Sequence, residues 1–170
     1  MRIPIVDVND NLIEYKERDK ATNEDIRRIS HIWVFNKNRE FLIAKRQGTK
    51  KVSPNKWGPA AVGSVEEGES YESNAKKEVE EEIGLRNVSF KLFKKLYYEN
   101  ENGKRFSCVF VTSVDMEANQ FILQEEEVSE VKWISLEELI NWYKKSPNDF
   151  IPSMGITISL IKEYQNENKN

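Results

Sequence analysis

The chain has one cysteine, one histidine and no long apolar run. A lone thiol, Cys108, excludes an intramolecular disulfide and fits a reducing compartment, so the expectation is a cytoplasmic protein. No 18-residue apolar stretch occurs, and the opening MRIPIVDVND lacks the apolar core of a signal peptide, which argues against a membrane partner. Charge of neither sign dominates: 26 Lys and Arg face 29 Asp and Glu, a net charge of −3. That balance gives no support to wholesale binding of nucleic acid or membrane surfaces. Internal repeats and a linker-like stretch are also missing, so residues 1–170 read as one domain.

What is present points to a packed globular core: 38% hydrophobic residues, with four Trp, six Tyr and eight Phe. Residues 3–8 and 12–15 alternate around Asn9-Asp10-Asn11 and read as a small hairpin within an N-terminal extension, 1–29. Residues 16–29 are charged and read as a short helix or an irregular link. Residues 31–35 and 41–44 form a second hairpin around Asn36–Arg39, and 57–62 a short strand. Two apolar, aromatic stretches, 88–98 and 105–114, flank a turn at Glu99–Lys104. Short strands are expected at 121–124 and 131–134, then a helix capped by Ser135 and Glu138 to about Lys145, and a last helix over roughly 155–166. The final NENKN reads as a frayed tail. Strands around one helix with two more helices at the C-terminus predict an α/β fold, a mixed sheet covered by helices.

The chemistry concentrates in GSVEEGESYESNAKKEVEEEIGL, residues 63–85. The stretch enters a polar helix from a glycine-containing loop and stops at Gly84. At about 100° per residue, Glu78, Glu81 and Glu82 fall within an arc of roughly 100° beside an apolar stripe of Ala75, Val79 and Ile83. Glu80 points away from both. A charge run is commonly a solvated face, but here the acids border the packed stripe. Clustered carboxylates suit a hard divalent cation such as Mg²⁺. Between Lys45 and Lys56 lie five cations (Lys45, Arg46, Lys50, Lys51, Lys56) and no acid. This is either a solubilising loop or a phosphate-steering patch, with Arg46 able to make bidentate contacts. A second acidic run, Glu125–Glu127, precedes the strand at 131–134.

Gly63, Glu69 and Lys77-Glu78-Val79-Glu80-Glu81-Glu82-Ile83-Gly84-Leu85, at spacings of five and seven, resemble the signature box of the Nudix hydrolases. The resemblance implies an α/β/α sandwich with a central mixed sheet, the box forming loop-helix-loop on one side. Lys77 departs from the family pattern, which has Arg there; it keeps the charge and loses the planar fork. The resemblance implies Mg²⁺, with Mn²⁺ as a substitute, held by Glu78, Glu81, Glu82 and the Gly63 carbonyl. It makes Glu78 or Glu127 the group that positions or deprotonates water, Arg46 a substrate contact, and Glu69 and Lys77 structural supports. The substrate class it implies is a small-molecule diphosphate, a nucleoside diphosphate derivative, cleaved at a phosphoanhydride bond. Oligomeric state is open and admits a homodimer.

Two other readings stand beside it. The N-terminal layout resembles the isopentenyl-diphosphate isomerase branch, where a His ahead of a similar strand binds metal. His31 reads instead as a core or edge residue, and Ala60, Ala61 and Ser64 occupy the neighbourhood where that branch needs Cys and His. The third reading is a non-catalytic nucleotide-binding module; the intact Glu78, Glu81 and Glu82 argue against it.

Overall fold

In the computed structural model, which describes residues 1–100 and 103–168, nine strands join one mixed sheet flanked by three α-helices. The first hairpin pairs β1 (Arg2–Val6) with β2 (Leu12–Glu17) and docks on β3 (Ile26–Phe35). Its turn is tied by Asp7, whose Oδ1 accepts from the amides of Asn9 at 2.8 Å and Asn11 at 2.9 Å.

Strand β3 organises everything else. It runs antiparallel to β6 (Ala61–Ser64) and parallel to β8 (Gly103–Ser113), which forms a hairpin with β7 (Lys91–Asn100). At its end it meets β4 (Phe41–Arg46), which pairs with β5 (Trp57–Pro59) and β9 (Val128–Ile134). Alternation gives β3 two apolar faces. Ile32 and Val34, with Leu42, Cys108 and Phe110, pack against Ala75, Val79 and Ile83 of α1 (Tyr71–Ile83). Trp33 and Phe35, with Ile43, Val109 and Val111, pack against α2 (Leu136–Lys145) and α3 (Met154–Glu167). This is the expected sandwich, and the stripe expected on the first helix is the face it buries.

The caps follow the sequence. Ser135 and Glu138 form the expected box, and Ser70 caps α1 by accepting from the Ser73 amide at 3.0 Å. Gly84 ends α1 at φ 70°, donating to the Glu80 carbonyl at 3.0 Å. A Cβ there would meet the Ile122 side chain at 2.7 Å and its carbonyl oxygen at 2.9 Å. Gly84→Ala therefore combines a left-handed backbone with a clash, and should lower stability by about 2 kcal/mol in a denaturant melt.

Two expectations are corrected and one open choice is decided. Strand β3 starts at Ile26, not His31; the alternation continues through Arg27 and Arg28, whose charges hide it from a hydrophobic pattern. Residues 18–20 form one turn of 3-10 helix, and no α-helix occurs within 16–29. Residues 121–124 are not a strand. Their amides go to the open carbonyls of α1, Ile122 to Ile83 at 3.2 Å and Gln124 to Glu82 at 3.0 Å, while Phe121 packs on Trp133. The centre of the expected turn at Glu99–Lys104 and the end of the tail, 101–102 and 169–170, lie outside the described residues.

Candidate active site

Gly63 on β6 and Glu78 on α1 face each other so closely that a Cβ on Gly63 would fall 2.2 Å from the Glu78 Cγ and Cδ. Position 63 can therefore be only glycine while Glu78 keeps its place. Four residues on, Glu82 lies on the same side of α1. Burial, then the charges of Glu78 and Glu127, push its carboxyl up to about 8, with Arg46 and the Val62 amide working the other way. Burial also raises Glu78, offset in part by Lys77 and Asn74 and reinforced by Glu81 and Glu69. Glu81 is exposed on the adjoining edge, and Glu80 turns outward to pair with Arg86 at 2.9 Å.

Carboxylates that close and that dry want positive charge. Among the described residues no three His, Cys, Asp or Glu side chains are already closed into a metal cage. Nonetheless the donor set fits a hard cation: oxygen ligands only, two of them, Glu78 and Glu82, raised by burial and by neighbouring acids, beside a glycine whose missing side chain leaves them room.

The cations arrive from the loop between β4 and β5. Arg46 is held by Nε donation to the Val52 carbonyl at 3.0 Å, and its charge bears on Glu82. Lys50 pairs with Glu127 at 2.6 Å. Glu127 is carried to the site by the same segment that caps α1, and its carbonyl accepts from the Gln47 amide at 2.9 Å. The structure thus brings Gly63, Glu78, Glu81, Glu82, Arg46 and Glu127, all singled out in the sequence, to one region.

A second network supports this one. Lys77 donates to Glu66 at 2.6 Å and Glu69 at 2.9 Å. Burial works against its charge, but the two carboxylates outweigh burial and hold it protonated. Glu69 is likewise kept below the usual carboxylate range: burial raises it, but Lys77, the Glu66 amide and Asn74 prevail. Asn74 joins the networks. Fully buried, its Nδ2 donates to Ser64 O at 3.1 Å, Glu69 Oε2 at 2.9 Å and Glu78 Oε1 at 3.2 Å, while Oδ1 has no partner. Sequence reading passed over Asn74 and the Lys50–Glu127 pair. The signal for Asn74 was present: Asn four residues before Glu on a helix places the two side chains together.

A family model for the NUDIX domain matches residues 25–154. The chain belongs to the Nudix family. It is 33% identical over 170 residues to an uncharacterized Nudix hydrolase of Yersinia pestis, covering 97% of this chain and 87% of that one. To a prenyl-diphosphate phosphatase of Methanosarcina mazei it is 31% identical over 162 residues, covering 93% and 94%. The crystal structure of DR0079 from Deinococcus radiodurans superposes with a TM-score of 0.80 at 20% identity, covering 96% and 98%. The protein is thus a Nudix hydrolase, and the matched domain includes residues 63–85.

Within this Nudix fold, the leftover candidates from the isomerase reading fall away from the box. Cys108 is buried in the core beside α1, and burial first, with Asp10 adding to it, pushes its thiol up to about 11. His31 lies on the sheet face opposite α1, held neutral as burial and then the Arg105 charge depress it to about 4. Trp33 and Trp57 are core residues.

Proposed function

We propose that the protein is a Mg²⁺-dependent pyrophosphohydrolase that cleaves a phosphoanhydride bond in a nucleoside diphosphate derivative. The observation that carries this reading is the Glu82 carboxyl, buried against the Gly63–Glu78 contact and raised first by that burial and then by the charges of Glu78 and Glu127, residues 49 positions apart in sequence. Glu78, Glu81, Glu82 and the Gly63 carbonyl would hold the cation. Bound there, Mg²⁺ supplies Lewis acidity toward the diphosphate oxygens and eases deprotonation of water.

The protein's own groups do the rest. Arg46 meets the phosphate oxygens and offsets their charge. Glu127 or Glu78 takes the proton of the attacking water, and the 2.6 Å ion pair with Lys50 holds the Glu127 side chain in place. Asn74 and Lys77 fix the helix that presents the acids. The whole chain, residues 1–170, works as one unit, with residues 1–29 an extension of the sheet. A lone buried thiol suits the cytosol.

Asn74→Ala should lower stability by about 1–3 kcal/mol and turnover by about 10- to 100-fold, read by thermal unfolding and initial rates. Unchanged turnover would remove Asn74 from the supporting network.

The Methanosarcina mazei relative favours a second reading, hydrolysis of a prenyl diphosphate. A Mg²⁺ screen of nucleoside diphosphate derivatives against prenyl diphosphates, with product analysis, separates the two. Turnover of prenyl diphosphates alone would replace the nucleotide reading, and allylic isomerisation would revive the isomerase. No turnover of any diphosphate by the metal-bound protein would refute the hydrolase assignment for these substrates.

A further inference from the structure

Glu127 reaches the site with both carboxylate oxygens engaged. The Lys50 ammonium lies across them, 2.6 Å from Oε1 and 2.6 Å from Oε2. A carboxylate bridged in this way shares both oxygens with a cation. Water that is to lose a proton to it must compete with that cation.

The pair is not what joins its two segments. The Gln47 amide donates to the Glu127 carbonyl at 2.9 Å, and Gln47 Nε2 donates to the Glu125 carbonyl at 2.8 Å. Gln47 Oε1 in turn accepts from the Gly48 amide at 2.8 Å, and the Lys50 amide donates to the Gln47 carbonyl at 3.1 Å. These bonds fix the loop against residues 125–127, so the Lys50 side chain can leave Glu127 without moving either segment.

The two side chains are 26% and 32% exposed, and an ion pair so placed is held weakly. Arg46, by contrast, is tied by Nε to the Val52 carbonyl at 3.0 Å. An ammonium is a point charge with three donors on a flexible stem, and it changes partners more readily than a guanidinium fork.

What would draw the lysine away binds close by. Besides burial, the charges of both Glu127 and Arg46 act on the Glu82 carboxyl. The ammonium on Glu127 therefore borders the acids that would hold the cation and its diphosphate. A diphosphate carries more negative charge than one carboxylate and offers more oxygens, so it competes well for the ammonium.

We propose that Lys50 exchanges partners during the reaction. It caps Glu127 in the free protein and moves to a phosphate oxygen when the diphosphate binds, which frees Glu127 for the attacking water. The assignment rests on the hydrolase reading, with Glu127 as the base. One proton then passes from water to Glu127, and the water oxygen bonds to phosphorus. The bond from phosphorus to the bridging oxygen breaks, and its electron pair leaves with that oxygen. The base thus comes free only beside a bound substrate.

The test is a crystal structure with Mg²⁺ and methylenediphosphonate, a diphosphate analogue whose P–C–P bridge resists hydrolysis. Lys50 Nζ should lie within hydrogen-bond distance of a phosphonate oxygen and more than about 4 Å from either Glu127 oxygen. An ammonium still on Glu127 beside the bound diphosphonate, or no binding at millimolar concentration, overturns the exchange. Kinetics of Lys50→Met supply a second arm. KM should rise at least about tenfold through the lost phosphate contact, while kcat falls less than about threefold, because Glu127 needs no uncovering. An unchanged KM, or a kcat loss larger than the rise in KM, would make Lys50 a prop for Glu127 and overturn the exchange. The crystallographic arm needs no turnover. If no diphosphate is hydrolysed, the hydrolase reading fails and that arm alone judges the movement of Lys50.

Discussion

Glu82→Gln should abolish turnover and yet make the metal-free protein more stable at alkaline pH. The neutral amide removes a charge that the folded state accommodates badly. A carboxyl near 4.5 in the unfolded chain and about 8 in the folded one means that the folded state holds the extra proton between those values. Stability of the wild type therefore falls as pH rises from about 4.5 to 8, and the penalty is full above 8. Against Gln the difference should be near zero at pH 4 and roughly 2–3 kcal/mol at pH 8.5, below the unscreened limit because the side chain retains some exposure. Mg²⁺ should reverse the order by stabilising the wild type alone. Turnover should fall at least about 100-fold, the scale on which even supporting residues of metal sites act. Urea melts across pH, with and without Mg²⁺, check this. A variant no more stable than the wild type at pH 8.5 would mean that the acids are not crowded as described.

The second large effect belongs to Gly63→Ala. One methyl group at 2.2 Å from Cγ and Cδ of Glu78 cannot coexist with the present side-chain position. The backbone itself tolerates alanine, since Gly63 has no left-handed φ. Glu78 must swing outward, so the stability cost should be modest, about 1–3 kcal/mol, while turnover falls at least about 100-fold. The contrast is diagnostic: folded, nearly as stable, and inactive. Retained activity would mean that Glu78 works from another position.

Much of this was legible in the sequence. The helix from Tyr71 to Ile83, its buried stripe, its glycine stop and the capped α2 all follow from local rules, because each is decided within one or two turns. The box acids were legible for the same reason: their arc is a property of the helix alone. Less legible was anything decided by pairing at a distance. Arg27 and Arg28 conceal the start of a ten-residue strand whose warrant is its pairing with β8 on one side and β1 on the other. Residues 121–124 carry strand-like side chains but lend their amides to the end of α1, a demand set by another element. Lys77 illustrates the middle case. The loss of the arginine fork left its partner open in the sequence, and the fold answers with two acceptors, Glu66 and Glu69.

The central claim is that the acids of the box, with a divalent cation, cleave a phosphoanhydride. The most direct measurement is ³¹P NMR of a nucleoside diphosphate derivative incubated with the wild type in Mg²⁺, with EDTA as control and Glu82→Gln in parallel. The account predicts phosphomonoester resonances that grow with Mg²⁺ and wild type together, and in neither control. Equal growth in EDTA or with Glu82→Gln would contradict it.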